Sequence, residues 1–139
     1  MRKNDIVEEA RKLLNVKWQH QGRSINGVDC AGLCVLTARG LGLEVQDYTN
    51  YQRRTHGTEF LEYFRRNLDE KAFGDMTTGD VVVLTEPTYP CHCGIVTERH
   101  GEQYFIHAYA KRRKVVEERI SDDWRKRIVG VFAFPHLED

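Results

Sequence analysis

Cys30, His92 and His107 are the residues whose types and surroundings combine into a reaction. Cys30 stands in GVDCAGL (27–33), where a glycine, a carboxylate and a cysteine run into an apolar stretch, Ala31, Leu33, Val35 and Leu36. A thiol in the first turn of a helix lies where unpaired N–H groups and the helix dipole favour negative charge. Few other settings lower a thiol pKa as far. Alone, the stretch leaves three readings open: a buried small hydrophobe, a metal ligand or a nucleophile.

The choice turns on His92 in CHCGIV (91–96) and His107 in YFIHAY (104–109). Strand alternation sets His92 on one face and Cys91 and Cys93 on the other. The same rule sets His107 with Phe105, opposite Ile106 and Ala108. With ERHGEQ (98–103) as a hairpin turn, the two imidazoles face the same side as neighbours. A thiol, a base within about 2.6–3.2 Å and a third polar group holding the base's other ring nitrogen make up nucleophilic thiol catalysis. The Cys30 N–H, at a helix start, is an oxyanion donor for such a reaction.

Those side chains need elements to hold them. Asn4 and the spacing of Ile6, Val7, Ala10, Leu13 and Leu14 predict an amphipathic helix over 5–15. Residues 16–29 read as an irregular loop, 30–40 as a helix ending at the glycines of RGLGL, and 44–57 as irregular. Thr58 then caps a helix through Phe60, Leu61, Phe64 and Leu68. From there the texture is β-rich: 78–84, 92–98, 103–109, 114–120 and 127–134 predict about five strands. Helices first and antiparallel strands after give an α+β domain, with helices packed on one side of a curled sheet.

The chain has 139 residues, 30% of them charged, which fits one domain over 1–139. Lys plus Arg and Asp plus Glu are 21 each, so no net field points to nucleic acid or membrane as a partner. KRRK (111–114) and RKR (125–127) read as solvated faces, with an anionic polymer as the other possible contact. The charged N-terminal stretch holds no signal-peptide or membrane-length apolar run, so synthesis in the cytoplasm and delivery by other means are expected. Four cysteines in such a chain favour thiol chemistry or metal over disulfides.

GVDCAGL, TGDVVVL (78–84) with HCGIV (92–96), and FIHA (105–108), in that order and at these intervals, resemble the NlpC family of papain-like cell-wall cysteine peptidases. The likeness spans roughly residues 5–135. It implies a papain-like fold without a cofactor, Cys30 as nucleophile, His92 as base and His107 as the group orienting it. It also implies hydrolysis in the peptidoglycan stem peptide, commonly between D-glutamate and a diamino acid. KWQHQGR (17–23) most resembles the phage-encoded branch, which implies tail proteins as partners and a virion-associated enzyme acting on the wall. Three positions depart from the family pattern: Trp18 stands where tyrosine is frequent, Ala31 where serine is common, and Cys93 where an aliphatic is usual.

Trp18, Arg23, Asp29 and Tyr109 are the candidates for contacting substrate, with Tyr48 and Tyr51 as further groove residues. Asp29 also suits the cap of the Cys30 helix better than a catalytic role, because a carboxylate beside a thiol raises its pKa. Cys34 and Cys93 read as core. Trp124 reads as a packing residue or groove wall, and His20, His56, His100 and His136 receive no chemistry. The competing readings are a zinc site built from the four thiols and His92, a silent tail-assembly protein, and a thiol amidase or acyltransferase.

Overall fold

The computed structural model describes residues 1–49, 51, 58–86, 90–135 and 137. Helix α1 (Lys3–Arg11) begins ahead of residue 5 because the Arg2 N–H donates to the Asp5 carboxylate at 2.8 Å, which puts Asn4 inside the first turn. The segment expected to be irregular holds a short hairpin, β1 (Arg23–Ser24) and β2 (Gly27–Val28), with Arg23 opposite Val28. Helix α2 (Cys30–Gly40) and helix α3 (Glu59–Asn67) follow. Thr58 occupies the N-cap position of α3, but its side chain makes no capping bond.

Among the described residues one more α-helix and six strands follow: β3 (Asp69–Lys71), β4 (Val81–Thr85), β5 (Pro90–Arg99), β6 (Glu102–Tyr109), β7 (Lys114–Arg119), α4 (Asp122–Arg127) and β8 (Ile128–Ala133). Six strands form one antiparallel sheet in the order β3-β8-β4-β5-β6-β7. The expectation of about five is short by the edge strand β3. Its residues, Asp69, Glu70 and Lys71, are all charged and carry no apolar alternation. The RKR cluster closes α4, whose N-cap Ser121 accepts from the Trp124 N–H. KRRK lies on the turn into β7.

Alternation gives the sheet two apolar faces. Val81, Val83, Cys93, Ile95, Ile106, Ala108 and Phe132 pack against Ile6 and Ala10 of α1, Leu33 of α2, and Phe60 and Phe64 of α3. Each such large side chain contributes roughly 1.5–3 kcal/mol by leaving water. Cys34 and Cys93 are buried there with sulfurs 3.7 Å apart, in the core position the sequence suggests. Val82, Leu84, Val96, Phe105 and Val131 form the second face, flanked by Trp124 and Ile128. His92 and His107 sit on this second side, whereas Cys30 enters from the helical side.

A bulge reconciles the two sides. Leu84 pairs with His92 and Thr85 with Pro90, so Cys91 is the extra residue of β5. Such an insertion bends a strand and re-aims its neighbours. Here it falls immediately before His92, and the Cys30 Sγ lies 3.7 Å from the Cys91 carbonyl.

Candidate active site

Asp29 shapes the start of α2. Its Oδ1 accepts from the Gly32 N–H at 2.8 Å, the capping bond expected of it, and from Arg23 Nη1 at 3.0 Å. Its Oδ2 accepts from the Gln21 N–H at 2.8 Å and from the Tyr51 hydroxyl. Arg23 in turn spends its remaining donors on Asp47 (2.9 Å), the Gly22 carbonyl (2.9 Å), the Tyr48 carbonyl (2.7 Å) and the Tyr51 oxygen (3.0 Å). A guanidinium has five N–H donors and a carboxylate about four acceptor directions, and the bonds just named use them all. Arg23 and Asp29 therefore tie the 17–29 segment, Asp47, Tyr48 and Tyr51 to the first turn of α2.

That first turn presents Cys30, which is half-buried. Its thiol pKa comes down to about 7 through a hydrogen bond with Cys93 and the hydrogen bond and charge of His92, against burial and the Asp29 carboxylate, which push it up. Cys93, by contrast, is pushed well above the ordinary thiol range by burial.

His92 is 5% exposed, and its Nε2 lies 2.8 Å from His107 Nδ1. Nδ1 is thus the ring atom left to serve Cys30, with Glu86 Oε2 at 3.9 Å from it. His107 is fully buried. Its ring is stacked 3.9 Å from Phe105 on one side and 5.1 Å from Tyr109 on the other. Burial pushes both imidazoles below the usual histidine pKa, which favours the neutral form of each. Gly94 makes this approach possible, since a Cβ there would stand 2.7 Å from the Phe105 ring and 3.1 Å from His107 Cβ.

The sequence did not single out Glu118. Its Oε1 lies 3.2 Å from His107 Nε2 and accepts from Trp124 Nε1 at 2.9 Å. Trp124 also stacks on His92 at 5.9 Å, so it belongs to the site's wall. Glu118 pairs with Phe105 across β6 and β7, which makes it a diagonal neighbour of His107. That register was the available signal, hidden because the 110–113 turn has no fixed length in sequence.

Tyr109 lies 5.7 Å from the His92 ring and also packs against His107 and Trp124. Trp18 is half-buried, bridges to Val28 and donates its backbone N–H to the Arg113 carbonyl at 2.8 Å. His20 and His100 are exposed and stand outside the imidazole pair, while His56 and His136 lie outside the described residues. Among the described residues, no three His, Cys, Asp or Glu side chains are grouped to hold a metal ion. No helix of these residues is long and apolar enough to cross a membrane.

The fold and site define an α+β protein in which a helix-terminal thiol meets an imidazole pair at a bulged strand. The NlpC/P60 family profile matches residues 15–133, and the chain belongs to that family. No curated protein matches it. Among solved structures it is similar to an NLP/P60 family lipoprotein-like protein from Staphylococcus aureus, with TM-score 0.70 and 17% identity over 99% of this chain and 42% of that one. It is similar to the NlpC/p60 domain of the peptidoglycan hydrolase SagA, with TM-score 0.71 and 16% identity over 96% of this chain and 100% of that one. An N-acetylmuramoyl-L-alanine amidase from Bacteroides uniformis shares the fold with TM-score 0.60 and 12% identity, over 94% of this chain and 96% of that one.

Proposed function

We propose that the protein is a cysteine peptidase that hydrolyses stem peptides of peptidoglycan, at the bond between D-glutamate and a diamino acid. The observation that carries this reading is the line from Cys30 through His92 to His107, with a thiol pKa near 7 and a 2.8 Å contact between the imidazoles. Family membership and the SagA hydrolase domain support the substrate class.

The Cys30 thiol gives its proton to His92 Nδ1, and the resulting thiolate attacks the scissile carbonyl carbon. The Cys30 N–H stabilises the oxyanion, and His92 returns the proton to the leaving amine as the C–N bond breaks. Water then attacks the thioester, with His92 as base, and releases the acid and the thiol. His107 holds the His92 ring. Trp18 and Tyr109 face the substrate, whereas Arg23 and Asp29 act on it by fixing the groove wall. The likeness of KWQHQGR to the phage branch supports delivery to the wall with tail proteins.

The test is digestion of purified stem peptides from walls of known cross-bridge, read by mass spectrometry. Wild-type protein should cut between D-glutamate and the diamino acid, and Cys30→Ala should leave every peptide whole while folding normally. Cleavage at the muramoyl–L-alanine amide would make the chain an amidase instead. Intact peptides with wild-type protein would defeat the hydrolase reading.

A further inference from the structure

The site as proposed ends at His107, yet the contacts continue. Glu118 Oε1 receives His107 Nε2 at 3.2 Å and Trp124 Nε1 at 2.9 Å, and Glu118 Oε2 lies 3.6 Å from Arg112 Nη2. We infer that Glu118 is a positioning residue that fixes the tautomers of both imidazoles, leaving His92 Nδ1 bare toward Cys30. This rests on the reading of Cys30 and His92 as nucleophile and base.

Proton counting along the chain fixes the tautomers. A neutral imidazole has one donor and one acceptor nitrogen, and an ionised carboxylate only accepts. His107 must therefore carry its proton on Nε2, facing Glu118, and its bare Nδ1 must accept from His92. His92 then carries its proton on Nε2, so the nitrogen left for the thiol can take a proton. Reversed tautomers would set a protonated His92 Nδ1 against Cys30, and the thiol proton would have nowhere to go.

Glu118 is suited to this because its neighbours keep it ionised. The His107 hydrogen bond holds it below the usual carboxylate range, burial opposes this, and Trp124 and Arg112 assist. The other charged groups around it are Arg119, Asp123 and Arg127, which line an open cavity of about 430 Å³ with it. Those facing His92 are Cys30, Glu86 and Arg127. When His92 becomes an imidazolium, the Glu118 charge at the far end of the chain favours that state.

Glu118→Gln keeps the shape but adds an amide donor, so the chain can run in either direction. Nitrogen-15 NMR of the imidazoles should show Nε2–H on both histidines in the wild type and mixed tautomers on His107 in E118Q. Iodoacetamide labelling of Cys30 at pH 7 should slow about 5-fold in E118Q, with its pH midpoint moved up about one unit. Turnover should drop on the order of 10–100-fold in kcat with little change in KM, less than for a residue touching the base directly. Glu118→Asp, still an acceptor only, should retain the wild-type tautomers.

Unchanged tautomers and labelling in E118Q would overturn the inference, as would equal loss in E118D, which would make the role one of shape. The tautomer and labelling readouts need no substrate. Failure of wild-type protein to cut stem peptides would sink the hydrolase reading and leave the Glu118 result standing.

Discussion

A thiol is a useful nucleophile at neutral pH only when its proton has somewhere to go. Cys30 meets that condition because Cys93 and His92 lower its thiol pKa by more than burial and the Asp29 charge raise it. With a pKa of about 7, half of Cys30 is thiolate at pH 7, against roughly one part in a hundred for an unperturbed thiol. Labelling by iodoacetamide, followed peptide by peptide, should therefore be half-maximal near pH 7 at Cys30 and absent at Cys93 until far higher pH. His92→Ala should move the Cys30 midpoint upward. If Cys30 reacts no faster than Cys34 and Cys93 at pH 7, the thiolate reading is wrong. The two histidines should also separate in turnover. Loss of the proposed base in His92→Ala should lower kcat by about 10²–10⁴. His107→Ala should lower it less, since water can take up part of an orienting bond; the opposite ranking would exchange their roles.

Elements matter here through the approaches they permit. On β5, Gly94 leaves the space in which Phe105 and His107 cross toward His92, and an added Cβ would also stand 2.9 Å from the Ile106 carbonyl. A backbone oxygen in a sheet cannot step aside, so Gly94→Ala should destabilise by about 1–3 kcal/mol and slow Cys30 labelling, measured by urea unfolding and alkylation. Normal stability with normal labelling would show that the imidazole pair does not need this clearance. On α2, the sequence made the cap legible, because Asp29 stands directly before an apolar run. It also made His92 and His107 legible as same-side neighbours, because alternation is clean in β6 and in β5 from His92 onward. It did not show how a thiol on the helical side of the sheet meets an imidazole on the other. That depends on the bulge at Cys91, which no residue type announces. The Arg23–Asp29 lock was hidden too, since it closes only when Asp47, Tyr48 and Tyr51 fold back over it. Helix α4 is six residues with Trp124 as its sole apolar one, too short for a period to register, although Ser121 and the charge order of DDWRKR were correct end signals.

At the scale of the whole molecule, the N-terminal helix and the far edge of the sheet are joined by one carboxylate. Glu117 on β7 accepts from Arg11 Nη2 of α1 at 2.9 Å, and from Arg99 Nε at 3.0 Å and Thr97 Oγ1 at 2.8 Å on β5. Its own side chain is 4% exposed, while Arg11 and Arg99 are 37% and 47% exposed, so water weakens the attraction from their side. Burial pushes the Glu117 pKa up, but Arg11, Arg99 and Thr97 outweigh it and bring the value down to about 2. A carboxylate with a depressed folded pKa adds stability that is complete above its unfolded value, near 4.5, and is lost as the pH falls toward 2. Glu117→Gln should thus lower unfolding free energy by about 1–3 kcal/mol at pH 7, where a charged acceptor is exchanged for a neutral one. Urea unfolding of both proteins from pH 7 to pH 2 should show that gap holding down to about pH 5, shrinking by pH 3 and closing near pH 2. A gap of constant size across that range would mean that the contribution of Glu117 comes from its shape and not from its charge. The clasp would then be a matter of fit between α1 and the sheet edge.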